Sequence, residues 1–277
     1  MQGIVPVTYL FVPATHTARI AKAFAAGAHA VIADLEDAVD AAGKDAARRQ
    51  LSDWLVAAPA GQAPWVRINA VGTPWIADDL AMLRQHGKAL AGVMLSKTQS
   101  HADLQVVDCG LPLIALIESA RGLLALADVC RHPQLVRLAF GSADLSRDLG
   151  CEDAVDVLAP ARAQLVLHST AAGLLPPVDG VTFALDDLER AQADAAQAAR
   201  CGFGAKLCVH PAQMQPVLRG FSPTEAQCSW AESIMAVTAA GSSAQRLNGE
   251  MVDRPVIARA QAIVERRNAI GAFLSHF

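Results

Sequence analysis

The sequence predicts an α/β fold, a TIM (β/α)8 barrel with a C-terminal helical extension, and three observations carry that prediction. Eight short apolar runs recur at intervals of roughly 25 to 40 residues. Ala-rich segments of helical period separate them, the alternation that builds βα units around a parallel sheet. The repeats fit within about 210 residues, which suits a barrel of typically about 250 residues better than an open doubly wound sheet.

In chain order the runs are VTYLFV (7–12), AVIADLE (30–36), PWVRIN (64–69), AGVMLSK (91–97), LPLIALIE (111–118), LVRLAFG (135–141), VDGVTFA (178–184) and AKLCVH (205–210). After the eighth the character changes. In FSPTEAQ, Ser222 is a candidate N-cap, Pro223 suits the first helical position, and Glu225 completes a capping box, so a helix is expected there. A Gly/Ser-rich break at 240–243 and an irregular NGEMVDRP precede a last helix over about 256–270. The expected division is a barrel over 1–220 and a helical extension, or lid, over 221–277.

Composition narrows the function. A chain of 277 residues buries a sizeable core without staples. Hydrophobic residues make up 53%, yet no apolar run approaches the roughly 20 residues of a membrane span. The N-terminus lacks a basic n-region and a cleavage site, so a cytoplasmic protein with no membrane partner is expected. The net charge is -4 and the basic residues are scattered, which argues against nucleic acid. Six cysteines without CxxC or zinc-type spacing are expected to be buried, reduced thiols.

In a parallel barrel, chemistry gathers where strands end. The second run delivers Asp34, Glu36 and Asp37, the third Arg67 and Asn69, the fourth Lys97, the fifth Glu118, the sixth leads to Asp144, and the eighth ends in His210. Glu118 and Asp144, about one βα unit apart, provide hard oxygen ligands of the kind that hold Mg²⁺. Each alone could equally favour a helix N-terminus, worth about 0.3 to 1 kcal/mol. Glu36 and Asp37 either hold metal-bound water, pair with a nearby base or cap a helix, and with Arg67 and Lys97 they are the candidate substrate-binding residues. Arg67 needs an anionic partner if buried, either a substrate carboxylate or a salt bridge to Glu36 or Asp37. Lys97 is a Schiff-base nucleophile or an ordinary rim lysine. His210 is expected only to close the last strand. No GxGxxG, GxxxxGK[ST] or GxSxG is present, which leaves dinucleotide, P-loop and hydrolase-elbow chemistry without support.

The motifs TYLFVPA, AVIADLEDAV, VRINAVGTPW, IESARG, FGSADLSRDLG, GAKLCVHPAQ and GEMVDRP follow one another along nearly the whole chain. In that order they resemble the citrate lyase beta subunit-like (CitE-like) branch of the HpcH/HpaI aldolase family. The resemblance implies a TIM barrel, a homotrimer, and Mg²⁺-dependent making or breaking of a carbon–carbon bond between a keto acid and an acyl-CoA or acyl-carrier thioester. It implies Glu118 and Asp144 as metal ligands and Arg67 as the group that polarises substrate oxygens. It also implies Asp253 as the acid/base, on a lid that covers a neighbouring subunit's site; read from the residues alone, Asp253 is a turn residue before Arg254-Pro255. Val7 and Thr8 stand where the family has Arg-Ser, Ala14 replaces a Gly, SKTQS replaces PKxES, and His29 replaces an Asp.

The expected activity is lysis of a 3-hydroxyacyl-CoA such as citryl-, malyl- or citramalyl-CoA. Its rivals are a pyruvate-type class II aldolase without CoA, a Schiff-base aldolase through Lys97, and a catalytically silent subunit that binds keto acid or an acyl carrier.

Overall fold

Strands covered on both faces must be apolar throughout, and the runs obey that requirement. In the computed structural model, which describes residues 5–239, 245–247 and 250–274, eight parallel strands close into a barrel in sequence order, the first pairing with the eighth. They are β1 (Thr8–Pro13), β2 (Ala30–Asp34), β3 (Trp65–Ile68), β4 (Gly92–Leu95), β5 (Leu113–Ile117), β6 (Leu135–Phe140), β7 (Leu175–Asp179) and β8 (Ala205–Cys208). Every residue of β2, β4, β5 and β8 is buried. Tyr9, Ile32, Trp65, Met94, Ile114, Leu116, Ala139, Val178 and Leu207 belong to one core cluster built from all eight strands.

Helices return the chain between strands: α1 (Ala18–Ala25), α2 (Lys44–Val56), α3 (Ile76–His86), α4 (His101–Val106), α5 (Ala120–Leu124), α6 (Leu126–Val129), α7 (Ser142–Leu149), α8 (Ala159–Ala171) and α9 (Leu188–Arg200), and α10 (Met214–Phe221) follows the last strand. The βα sequence with a parallel, closed sheet is the TIM barrel.

The seventh strand departs from expectation. It runs over Leu175–Asp179, not 178–184, and includes Pro176 and Pro177. Prolines lack the ladder donor, so an LPP sequence argues locally against a strand. Here its carbonyls still serve: Gly204 N–H donates to Pro177 O at 3.0 Å and Arg137 Nε to Pro176 O at 2.5 Å. The ladder to β6 carries a register shift between Arg137 and Ala139.

Pro6–Gly220 forms one compact unit, and the chain from Phe221 belongs to a second. The second contains α11 (Glu225–Ala239), β9 (Gln245–Leu247), β10 (Glu250–Val252) and α12 (Arg254–Leu274). Ala231, Ile234, Val252, Ala260 and Ile263 make its core. Two local expectations are corrected. The cap of α11 is Thr224, whose Oγ1 accepts the Gln227 N–H at 3.2 Å while Gln227 Oε1 accepts the Thr224 N–H at 2.9 Å, a capping box two residues beyond Ser222 and Glu225. NGEMVDRP is not wholly irregular, because β10 pairs antiparallel with β9. The 240–243 break lies outside the described residues.

The six cysteines are free thiols, but only Cys208 is buried and Cys201 is exposed. Burial pushes the Cys208 thiol up to about 12, which makes it inert. Among the described residues no helix is long and apolar enough to cross a membrane.

Candidate active site

The β2–β3 register sets Asp34 beside Arg67. Arg67 then makes a fork-on-carboxylate pair, Nε to Asp34 Oδ1 at 2.7 Å and Nη2 to Asp34 Oδ2 at 2.5 Å. Its Nη1 stands 3.3 Å from Glu36 Oε2 and 3.7 Å from Asp37 Oδ2. The guanidinium also lies over the Phe11 ring, 4.5 Å from its centroid. Burial alone would lower the Arg67 pKa, but Asp34 and Glu36 overcome it and the net shift is upward. The side chain is a fixed cation.

Asp34 was legible as a strand-end charge, but not as the principal partner of Arg67. Its carboxylate also accepts the backbone N–H groups of Glu36 (2.9 Å) and Ala38 (3.1 Å), and so shapes the loop after β2. Buried Lys44 secures the same loop by donating to the Leu35 and Glu36 carbonyls, each at 2.7 Å. Asn69 donates to Asp79, which also takes Arg48; these three brace the end of β3. Only a carboxylate and a guanidinium at matching positions of adjacent strands could have signalled the Asp34–Arg67 pair in advance.

Lys97 is the sole non-glycine residue with positive φ, 50°, among the described residues. Its ammonium contacts Glu36 Oε1 and lies 3.6 Å from Asp37 Oδ1. Burial works to lower its pKa, and the Glu36 carboxylate more than reverses that, so the lysine stays protonated. A Schiff-base lysine needs the opposite shift. Burial pushes the Glu36 carboxyl up against the pull of Arg67 and Lys97, both of which it contacts.

Glu118 follows β5 directly. It does not cap the next helix, because Ser119 Oγ does so by accepting the Gly122 N–H. Instead Glu118 Oε1 accepts the Lys97 N–H at 2.7 Å, and Oε2 is left against Gly141, where a Cβ would stand 2.6 Å away. Only glycine admits this approach. The carboxyl is 4% exposed as a residue, and burial raises its pKa to about 8. Asp144 occupies the first turn of α7, so the helix-dipole reading does apply to it, and it pairs with Arg147 at 2.5 Å.

A cavity of about 320 Å³ brings Asp34, Asp37, Arg67, Glu118 and Asp144 together, with Phe11, Leu116, Phe140, Val181 and Phe183 as apolar wall. Glu36 and Lys97 line the neighbouring cavity, also about 320 Å³, with Lys44, Asn69 and Trp75. A third, about 310 Å³, adjoins at Ser142, Val181 and Phe183; there Arg162 and Lys206 both bind the buried Asp179. His210 caps the short turn after β8 by accepting the Ala212 N–H, as a strand-closing residue would. Asp253, in the second unit, accepts the Val256 N–H at 3.1 Å and caps α12.

Among the described residues no group of three His, Cys, Asp or Glu is arranged to hold a metal ion. Two carboxylates on one cavity are nevertheless enough for a hard cation that keeps water or substrate oxygens. A buried carboxyl held near neutrality by desolvation is also one that a cation would return to its charged form. The all-oxygen pair therefore fits a divalent ion such as Mg²⁺.

The model of the HpcH/HpaI aldolase/citrate lyase family matches residues 8–211. The chain belongs to that family. It is 36% identical over 266 residues to a citrate lyase subunit beta-like protein of Mycobacterium tuberculosis, covering 93% of this chain and 94% of that one. It is 34% identical over 273 residues to a (3S)-malyl-CoA thioesterase of Cereibacter sphaeroides, covering 95% of each. Among solved structures, the M. tuberculosis CitE protein in complex with magnesium, acetoacetate and coenzyme A superposes with a TM-score of 0.85 at 34% identity, covering 95% of this chain and 98% of that one. The citrate lyase beta-like kinship and the enzymatic, carbon–carbon lyase class expected from the motifs stand with the family.

Proposed function

We propose that the chain is a Mg²⁺-dependent lyase that cleaves, or in reverse forms, a 3-hydroxyacyl-CoA such as citryl-, malyl- or citramalyl-CoA, giving a keto acid and an acyl-CoA. The observation that carries this reading is the single cavity shared by Glu118, Asp144 and Arg67. Magnesium, acetoacetate and coenzyme A in the CitE complex support the cofactor and both halves of the substrate. The malyl-CoA thioesterases support a CoA thioester in particular.

In this reading Glu118 Oε2 and Asp144 hold the ion. Mg²⁺ supplies Lewis-acid polarisation of the hydroxy-acid oxygens. Arg67, pinned by Asp34, presents its charge to the same oxygens without reorganising as the bond breaks. Asp253, in its acid/base role, takes the hydroxyl proton; the hydroxyl oxygen becomes the keto oxygen, the carbon–carbon bond breaks, and its bonding pair moves to the α carbon of the thioester. Asp253 returns a proton to that carbon, a role that rests on the GEMVDRP resemblance, as does the homotrimer. The apolar wall of Phe11, Phe140 and Phe183 limits water around the enolate.

The test is direct. Glu118→Ala and Asp144→Ala should each abolish Mg²⁺-dependent cleavage of hydroxyacyl-CoA while the far-UV spectrum stays native. Full activity in either variant refutes the site. Turnover of free keto-acid aldols with no response to CoA would move the assignment to a class II aldolase. Release of free CoA from malyl-CoA would add thioester hydrolysis.

A further inference from the structure

Lys97 lies two residues beyond the end of β4. On one side of it Ser96 N–H bonds to Ile68 O of β3, and on the other Thr98 N–H bonds to Leu116 O of β5. Between these, the left-handed backbone of Lys97 turns its own N–H out of the sheet and onto Glu118 Oε1 at 2.7 Å. A non-glycine residue adopts that conformation only when its surroundings over-determine it, and such residues concentrate at functional sites. Its ammonium, at the other end of the residue, binds Glu36 and Asp37 and lines a different cavity from that of Arg67 and Glu118.

Charge makes the second contact consequential. Three carboxylates, Asp34, Glu36 and Asp37, lie within 4 Å of the Arg67 guanidinium. Left to itself, Arg67 would be over-neutralised and its cavity would repel an anionic substrate. Lys97 shares Glu36 and Asp37 with it. We propose that Lys97 is a positioning residue that contacts neither metal nor substrate: its backbone amide fixes Glu118 so that Oε2 alone faces the cavity, and its ammonium draws Glu36 and Asp37 away from Arg67, leaving Arg67 positive toward the carboxylate of a keto acid. The inference deepens the proposed function and rests on it.

The two contacts predict opposite responses to one substitution. Lys97→Met keeps the amide and removes the charge. Oxaloacetate binding to the Mg²⁺-loaded protein, read by calorimetry, should weaken at least about tenfold, while Mg²⁺ binding without keto acid should be unchanged or tighter, because a cation near Glu118 has gone. Lys97→Arg should restore most of the oxaloacetate affinity. Parallel loss of both affinities in Lys97→Met would indicate a merely structural residue and overturn the assignment, as would wild-type oxaloacetate affinity in that variant. The backbone half has its own readout: both lack the ammonium, but Lys97→Gly should melt higher than Lys97→Ala because glycine adopts positive φ without strain. An alanine variant equal to or above the glycine variant refutes the strained conformation. If the wild-type protein binds no oxaloacetate with Mg²⁺, the proposed function itself fails and this assignment falls with it, a result distinct from wild-type affinity in Lys97→Met.

Discussion

His29, just ahead of β2, shows how a single half-buried ring couples the fold to pH. Its Nδ1 accepts the Val7 N–H at 3.2 Å, and the His29 backbone N–H donates to Thr8 Oγ1 at 3.3 Å. Burial lowers its pKa from 6.5 to about 4, since the charged imidazole cannot keep its hydration there. The folded value lies below the unfolded one, so the neutral ring contributes stability that is complete above pH 6.5 and lost as pH falls through 4. Protonation would also remove the acceptor that Val7 uses. His29→Gln keeps an acceptor and cannot titrate, so the wild-type Tm should fall more steeply than the variant's between pH 6.5 and 4. Parallel melting curves across that window would show that the ring titrates as it does in water.

At the scale of elements, what the sequence disclosed divides by the range of the forces involved. Seven strands were readable because a parallel strand buried on both faces must be apolar throughout, as in Leu113–Ile117. The seventh was misplaced because Pro176 and Pro177 read locally as a break, while the barrel on either side holds them extended. Strand-end charges such as Glu118 and Arg67 were readable because topology alone gathers strand ends. Their pairings were not, since the Asp34–Arg67 fork depends on β2–β3 register and the Lys97–Glu118 bond on one left-handed residue. Caps fall between these cases: Ser222 and Thr224 both have the right chemistry, and geometry selects Thr224. Thr224→Ala should therefore cost α11 about 1 kcal/mol. Faster amide hydrogen exchange in the first turns of α11 would report it, and unchanged exchange would mean that packing against α12 alone holds the helix.

For the whole molecule, the division of residues between two units makes the origin of the proton donor testable. The barrel unit carries Glu118 and Asp144, and the second unit carries Asp253. If Asp253 serves another subunit's barrel, as the family resemblance implies, defects in the two units can complement each other. Glu118→Ala and Asp253→Ala should each be inactive alone. Co-expressed in equal amounts, they make a complete site wherever a barrel from the Asp253→Ala chain meets the second unit of a Glu118→Ala chain. Random assembly of a closed ring gives that combination at about one site in four, so about a quarter of wild-type activity is expected. If each chain instead serves its own barrel, no mixture recovers any activity. The Asp253→Ala protein alone should still bind Mg²⁺ and oxaloacetate, because its barrel unit is untouched. Loss of keto-acid binding in that variant would make Asp253 a substrate-binding group and remove it as the acid/base.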